Sequence, residues 1–208
     1  MTVAGGLALG IQALGLSLPE AAIQQLLRYV ALIDKWNRTF NLTAIREPLK
    51  MISHHVLDSL AVIPHLPQGR LADIGAGAGL PGIPIAIAQP HRSVVLNDAS
   101  EKKCAFLRQA AIELRLANVQ VHAGRVEEWR PAALFPVVIC RGFAELREFI
   151  ILTEHLLAEG GVALAMKGRY PESELTRLPP HWACDPVCQL RVPLLDADRH
   201  LVTCRRAA

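Results

Sequence analysis

The sequence predicts an α/β fold: an open, mostly parallel sheet with helices on both faces and a helical extension ahead of it. Three observations carry that expectation. Past residue 66 short apolar strands alternate with helical stretches, a glycine-rich turn (DIGAGAGLPG, 73 to 82) follows the first strand, and the last forty or so residues hold two strand patterns with no helix between them. The chain therefore divides into a helical extension over 1–66, packed on a core over 67–208.

The first eighteen residues (MTVAGGLALGIQALGLSL) carry no charge, but they lack a basic leader, and Gln12 and four glycines dilute them. They read as a packed helix rather than a membrane or export segment. Ser17 and Glu20 form S-x-x-E, a capping box that starts a second helix. Ile23, Leu26, Leu27, Val30 and Ile33 then recur at helical spacing, which carries this helix to about Trp36. The stretch NLTAI (41 to 45) breaks it. After Pro48 a third helical pattern runs through Ile52, Val56 and Leu60 to about Pro64, with His54, His55 and Asp58 on or beside it. Adjacent histidines lack the i, i+4 spacing of a metal-binding helix face, so capping or tethering is expected of this group and no metal.

Strands are predicted at Leu71–Ile74, Ser93–Asn97, Val119–His122, Val137–Cys140 and Val162–Met166, separated by helices. Cys188–Val192 and Leu201–Cys204, joined by a turn around Asp196–Arg199, add a terminal antiparallel hairpin and bring the sheet to seven strands. In such sheets ligands lie beyond the carboxyl ends of the strands.

Composition sets outer limits. With 208 residues, 51% of them apolar, the chain builds a real core. A net charge of +3, from 22 basic against 19 acidic residues, requires any anionic partner to be met by clustered charge. Five cysteines, none in C-x-x-C spacing, read as reduced cytosolic thiols.

The glycines fit two registers. Gly77, Gly79 and Gly82 spell the dinucleotide fingerprint G-x-G-x-x-G, whereas Asp73, Gly75, Gly77 and Gly79 spell D-x-G-x-G-x-G, the turn of S-adenosylmethionine-dependent methyltransferases. The terminal hairpin and Asp73 favour the second, because an acid sits awkwardly beside a pyrophosphate. Leu80-Pro81 suits a helix start packed on a donor that carries no phosphate, and Asp98 after the second strand suits the ribose of either ligand. Basic residues follow the strands on this same edge: Lys102 and Lys103, Arg125, Arg141, then Lys167 and Arg169. Together they favour a nucleic acid held through its phosphates.

With these features in place the chain resembles the bacterial RsmG (GidB) family from about Ser17 to Arg206. The resemblance rests on WNRTFNLTAI (36 to 45), HVLDSL (55 to 60), DIGAGAGLPGIPIAI (73 to 87), EKKCAFL (101 to 107), RVEEW (125 to 129), CRGFAEL (140 to 146), MKG (166 to 168) and RHLV (199 to 202). It implies a class I S-adenosylmethionine-dependent methyltransferase fold. It also implies a cytoplasmic enzyme that methylates N7 of a guanine in the 530 loop of 16S ribosomal RNA, position 527, in free RNA or in the small subunit. Carried over, the donor contacts fall on Gly75, Leu80, Val126, Glu127 and Arg141. Asp73, Asp98 and Gly77 join them from the fold, and Arg199 joins Lys102, Lys103, Arg125, Lys167 and Arg169 as an RNA-binding candidate.

Asn97, Cys140 and Gly142 depart from the family pattern. A cysteine after the fourth strand suggests the covalent nucleophile of cytosine C5 methyltransferases, but no Pro-Cys signature accompanies it, and a small packed residue is the preferred reading. Guanine N7 is unprotonated at neutral pH, so no catalytic base, nucleophile or metal is assigned and the task is alignment. A nicotinamide-dependent dehydrogenase and a non-catalytic RNA or assembly factor stay open on the sequence alone.

Overall fold

The computed structural model describes residues 2–207. Helix α1 (Val3–Ala13) opens on Thr2, whose hydroxyl accepts from the Gly5 N–H. Helix α2 (Glu20–Phe40) begins later than a capping box at Ser17 requires. Pro19 is its N-cap with no side-chain cap, because proline pushes the preceding Leu18 out of helical backbone. Glu20 instead accepts from the Gln24 side chain at 2.8 Å. The helix runs one turn past Trp36 and stops at Asn41, which takes the left-handed conformation (φ 49°).

The third helical stretch is not a uniform α-helix. Helix α3 (Pro48–Met51) passes through a π-turn over Ile52–Leu57 into α4 (Asp58–Leu60). One residue is thereby accommodated in a wider turn, a feature that often marks functional sites.

The sheet has eight strands rather than seven: β1 (Leu71–Ile74), β2 (Val94–Asp98), β3 (Val119–Ala123), β4 (Phe135–Arg141), β5 (Leu157–Lys167), β6 (Trp182–Cys184), β7 (Cys188–Gln189) and β8 (His200–Arg206). Their order is β3-β2-β1-β4-β5-β8-β6, with β7 paired to β8 off that path. The first five are parallel, and β8 runs antiparallel to β5, β6 and β7. The hairpin of β7 and β8 is present, and Pro193, which has no N–H to donate, lies just beyond it. The extra strand β6 follows two prolines and places Cys184 opposite Cys204, where the two form a disulfide. This corrects the expectation of five reduced thiols; Cys104, Cys140 and Cys188 are free.

Strand residues alternate between two cores, as the two-residue period of a strand requires. Leu71, Leu96, Ile139 and Leu164 face a cluster shared with α1, α2, the 48–60 segment, α5 (Gly82–Ala88) and α6 (Glu101–Glu113). Ala72, Val95, Val138 and Ala163 face the opposite cluster, closed by α7 (Leu146–Thr153) and by Trp129 and Trp182. A short α8 (Glu172–Leu175) lies between β5 and β6. Among the described residues no helix is long and apolar enough to cross a membrane.

Candidate active site

Strand order reverses between β1 and β4, and Ile74 lies opposite Cys140, so Gly75 leaves the sheet beside Arg141, the last residue of β4. This is the crevice where open α/β sheets bind ligands. Three cavities line it and share walls. One of about 410 Å³ lies between Asp98, Val126, Glu127 and Phe143; a small one of about 130 Å³ lies under Gly77 and Leu80; another of about 410 Å³ lies between His54, Asp58, Lys167 and Arg199. Gly75 borders the first two, and His55 and Arg141 border the last two.

The glycine turn is shaped by three positive φ angles, at Gly75, Gly77 and Gly79. A Cβ at Gly75 would also stand 2.5 Å from the Phe143 ring, which closes over the turn. From below, the Tyr29 hydroxyl of α2 donates to the Ala78 carbonyl at 2.6 Å, so the N-terminal helices brace the loop.

Asp73 resolves which register works. Its Oδ2 accepts from the Gly82 N–H at 2.8 Å, where α5 begins, so the protein's own carboxylate already takes the position a dinucleotide pyrophosphate would need. Asp73 is fully buried and its Oδ1 has no hydrogen-bond partner among the described residues. Burial raises its carboxyl from 3.8 to about 7, against the Gly82 N–H and Arg141, which lower it.

Asp98 is tied to the same turn. Its Oδ2 accepts from the Gly77 N–H and its Oδ1 from the Ser100 N–H, both at 2.9 Å, while Lys103 stands 3.6 Å away. Two backbone bonds leave the carboxylate lone pairs on the cavity side for hydroxyl donors. Neighbouring Asn97 donates to the Gly124 carbonyl at 2.9 Å and fixes the loop leading to Val126, which explains a polar residue in this strand. Val126 is buried in a 3₁₀ turn (Val126–Glu128). Glu127 pairs with Arg125 at 2.7 Å, and a backbone N–H together with Arg125 holds its carboxyl below the ordinary range.

On the other side, NLTAI and the H-x-x-D-S block meet. The Asn37 side chain accepts from the Thr43 N–H, and the Thr43 hydroxyl contacts His55 Nε2 at 2.8 Å. Burial lowers His55 to about 4, so the ring is neutral at physiological pH. Asp58, also buried, accepts from Arg141 at 2.7 Å through Oδ2 and from Arg199 at 3.0 Å through Oδ1. The tethering expected of this segment is therefore a link between β4 and the residue preceding β8.

The basic rim is unequal. Lys102 and Arg169 are exposed and make no ion pair among the described residues. Lys103 and Arg125 face Asp98 and Glu127. Lys167 is mostly buried against Glu174 (2.6 Å) and the Ala144 carbonyl (3.0 Å), so it holds the loop after β4 rather than standing free in solvent. Arg141 and Arg199 share Asp58. Cys140 is buried and burial raises its thiol well above the ordinary value, which keeps it protonated and unreactive. Sequence reasoning overlooked Tyr29, Phe143 and Asn97 as parts of the site. Asn97 alone carried a signal, as a polar residue inside an apolar strand.

The fold and this crevice define a class I S-adenosylmethionine-dependent methyltransferase. Solved structures share it: the DhpI–SAH complex superposes with a TM-score of 0.56 at 17% identity, covering 91% of this chain and 98% of that one. The ribosomal protein L11 methylase of Lactobacillus delbrueckii subsp. bulgaricus gives 0.54 at 17% identity over 73% and 77%. More specifically, the family model described as rRNA small subunit methyltransferase G (GidB) matches residues 22–202, and the chain belongs to that family. Ribosomal RNA small subunit methyltransferase G of Nitrosospira multiformis is 51% identical over 100% of this chain and 99% of its own. The protein of that name from Laribacter hongkongensis is 51% identical over 93% of each.

Proposed function

We propose that this methyltransferase transfers a methyl group from S-adenosylmethionine to N7 of a guanine in the 530 loop of 16S ribosomal RNA, in the cytoplasm, by direct in-line attack. The observation that supports this most is the junction between the small cavity and the outer one. It is bordered by His55, which burial lowers to about 4 and so makes a weak proton acceptor whose Nε2 already meets the Thr43 hydroxyl, and by Arg141, which is engaged by Asp58, and the Cys140 thiol in the outer wall is protonated. None of these supplies a base or nucleophile, and N7 attack needs neither.

The residues fit the donor. Asp98 faces the inner cavity with lone pairs for ribose hydroxyls, Val126 and Phe143 offer apolar walls for a purine, and the glycine turn brings backbone within reach without side chains in the way. When bound, S-adenosylmethionine supplies an electrophilic methyl group on a sulfonium. The chain's own part is to hold both ligands in line and exclude water, and such positioning is worth on the order of 7–11 kcal/mol in favourable systems. Attack moves positive charge onto the purine, so a free cation against N7 would oppose it; Arg141, held by Asp58 and the His54 carbonyl, keeps its charge directed elsewhere. The exposed Lys102 and Arg169 are the rim residues best placed for RNA phosphates.

The test is methyl transfer from radiolabelled S-adenosylmethionine to free 16S RNA and to small subunits, followed by reductive cleavage at 7-methylguanine and primer extension. One stop at the 530 loop supports the proposal. Label on a pyrimidine or at another purine atom refutes the N7 reading.

A further inference from the structure

Among the described residues, Asp58 is the buried carboxylate that holds two guanidiniums, one at the end of β4 and one just ahead of β8. Its side chain is 2% exposed, whereas Arg141 and Arg199 are each 21% exposed and both line the outer 410 Å³ cavity. Arg141 donates through Nη1 to Asp58 Oδ2 and to the His54 carbonyl at 2.9 Å; Arg199 donates through Nε to Asp58 Oδ1 and through Nη1 to the Asp198 carbonyl. Each guanidinium still has a donor edge that makes no hydrogen bond among the described residues. The π-turn over Ile52–Leu57 serves this arrangement, since it ends at Asp58 and presents the His54 carbonyl and the Asp58 carboxylate to the same guanidinium nitrogen.

The charges on this wall do not cancel. Lys167 is neutralised by Glu174, His55 is neutral, and His54 and the protonated Cys140 complete the titratable groups facing the cavity. One carboxylate against two guanidiniums leaves a single positive charge in a partly desolvated pocket. We infer that Asp58 is a positioning residue that fixes Arg141 and Arg199 as a paired clamp for one phosphodiester of the RNA substrate, the phosphate beside the nucleotide seated in the outer cavity. A phosphodiester carries one negative charge and presents two oxygens to two planar forks. The donor's carboxylate is a monoanion too, but Arg199 does not border the small cavity under the glycine turn, so the paired edges address the outer cavity.

The inference rests on the RNA methylation proposed above. Its test compares the full chain with Asp58→Asn, Arg199→Gln and the double variant, reading small-subunit RNA affinity across a salt titration, S-adenosylmethionine affinity by calorimetry, and KM and kcat for methylation. Each single variant is expected to weaken RNA binding about tenfold, as loss of a charge-assisted hydrogen bond does. The Arg199→Gln salt slope should be shallower by about 0.7 to 0.9. Because Asp58 acts through the arginines, the double variant should bind RNA no more weakly than Asp58→Asn alone, with KM rising, and Arg199→Gln should leave donor affinity within about twofold of the parent. Losses that multiply, an unchanged salt slope, or a fall in donor affinity with Arg199→Gln each overturn the clamp. Should Asp58→Asn not fold, Arg199→Lys decides: it keeps the charge but not the fork, so normal RNA binding refutes the inference and a loss supports it. A parent protein that binds this RNA without methylating it refutes the proposed activity and leaves the clamp standing.

Discussion

Replacing Asp73 by asparagine isolates the electrostatics of the glycine turn. The amide keeps an oxygen for the Gly82 N–H, so the turn retains its one hydrogen bond to this side chain, while the buried charge is removed. In the parent the carboxyl rises from 3.8 to about 7 in the fold, because burial outweighs the Gly82 N–H and Arg141. The folded state therefore holds a proton that the unfolded state has released, throughout the interval from about pH 4 to pH 7. Where the native state binds more protons, stability falls as pH rises. This residue alone lowers the parent's stability across that window by roughly 4 kcal/mol at most, as 1.36 kcal/mol accompanies each pH unit of displacement. Asp73→Asn lacks that loss. Urea unfolding of both proteins from pH 4.5 to 8 should show the variant gaining on the parent as pH rises, with the difference levelling above about pH 7. A difference that is flat with pH, or that favours the parent increasingly at high pH, refutes a buried, protonatable Asp73.

Other outcomes follow from the same geometry. Gly75→Val places a branched side chain at φ +66° and against the Phe143 ring, so calorimetry should find donor binding lost or reduced at least tenfold in a protein that still unfolds cooperatively. Cys140→Ser should keep methylation within a few-fold of the parent in the radiolabel assay, since the thiol is protonated and buried; a folded but inactive variant would restore a covalent mechanism. Lys102→Ala with Arg169→Ala should flatten the salt dependence of RNA binding by about 0.7 to 0.9 per lost phosphate contact and leave the unfolding midpoint nearly unchanged. Lys167→Ala should instead lower the unfolding midpoint, because it leaves the mostly buried Glu174 without its ion pair.

How much the sequence disclosed depends on the distance over which each signal acts. Strand and helix alternation is local, and all five parallel strands were expected close to their observed bounds, though β4 and β5 run longer than their apolar centres. The failures share a cause. The capping box at Ser17 is a correct local pattern overruled by a single proline, and β6, three residues long, is too short to show a two-residue period. The Cys184–Cys204 bond joins residues 20 apart that become neighbours only once β8 has inserted beside β6.

The site follows the same rule more sharply. Gly75, Asp73 and Asp98 could be singled out as candidates because the glycine turn is a contiguous pattern, and even there the two registers separate only in the contact of Asp73 with the Gly82 N–H. The rim is unequal in a way that the sequence does not show. Basic residues after successive strands looked equivalent in sequence, yet Lys167 is tied to Glu174 and Arg141 and Arg199 to Asp58, leaving Lys102 and Arg169 exposed with no ion pair among the described residues. Charge counted along a chain says nothing about which cations have already been neutralised. The pairing of NLTAI with the H-x-x-D-S block was visible only as a recurring combination, and its physical content is the Thr43–His55 contact together with Asp58 reaching Arg141 and Arg199 across 83 and 141 residues. A carboxylate serving partners that far apart imposes no periodicity on the sequence around it, and the strand order that brings Arg141 and Arg199 to one cavity is set by the sheet.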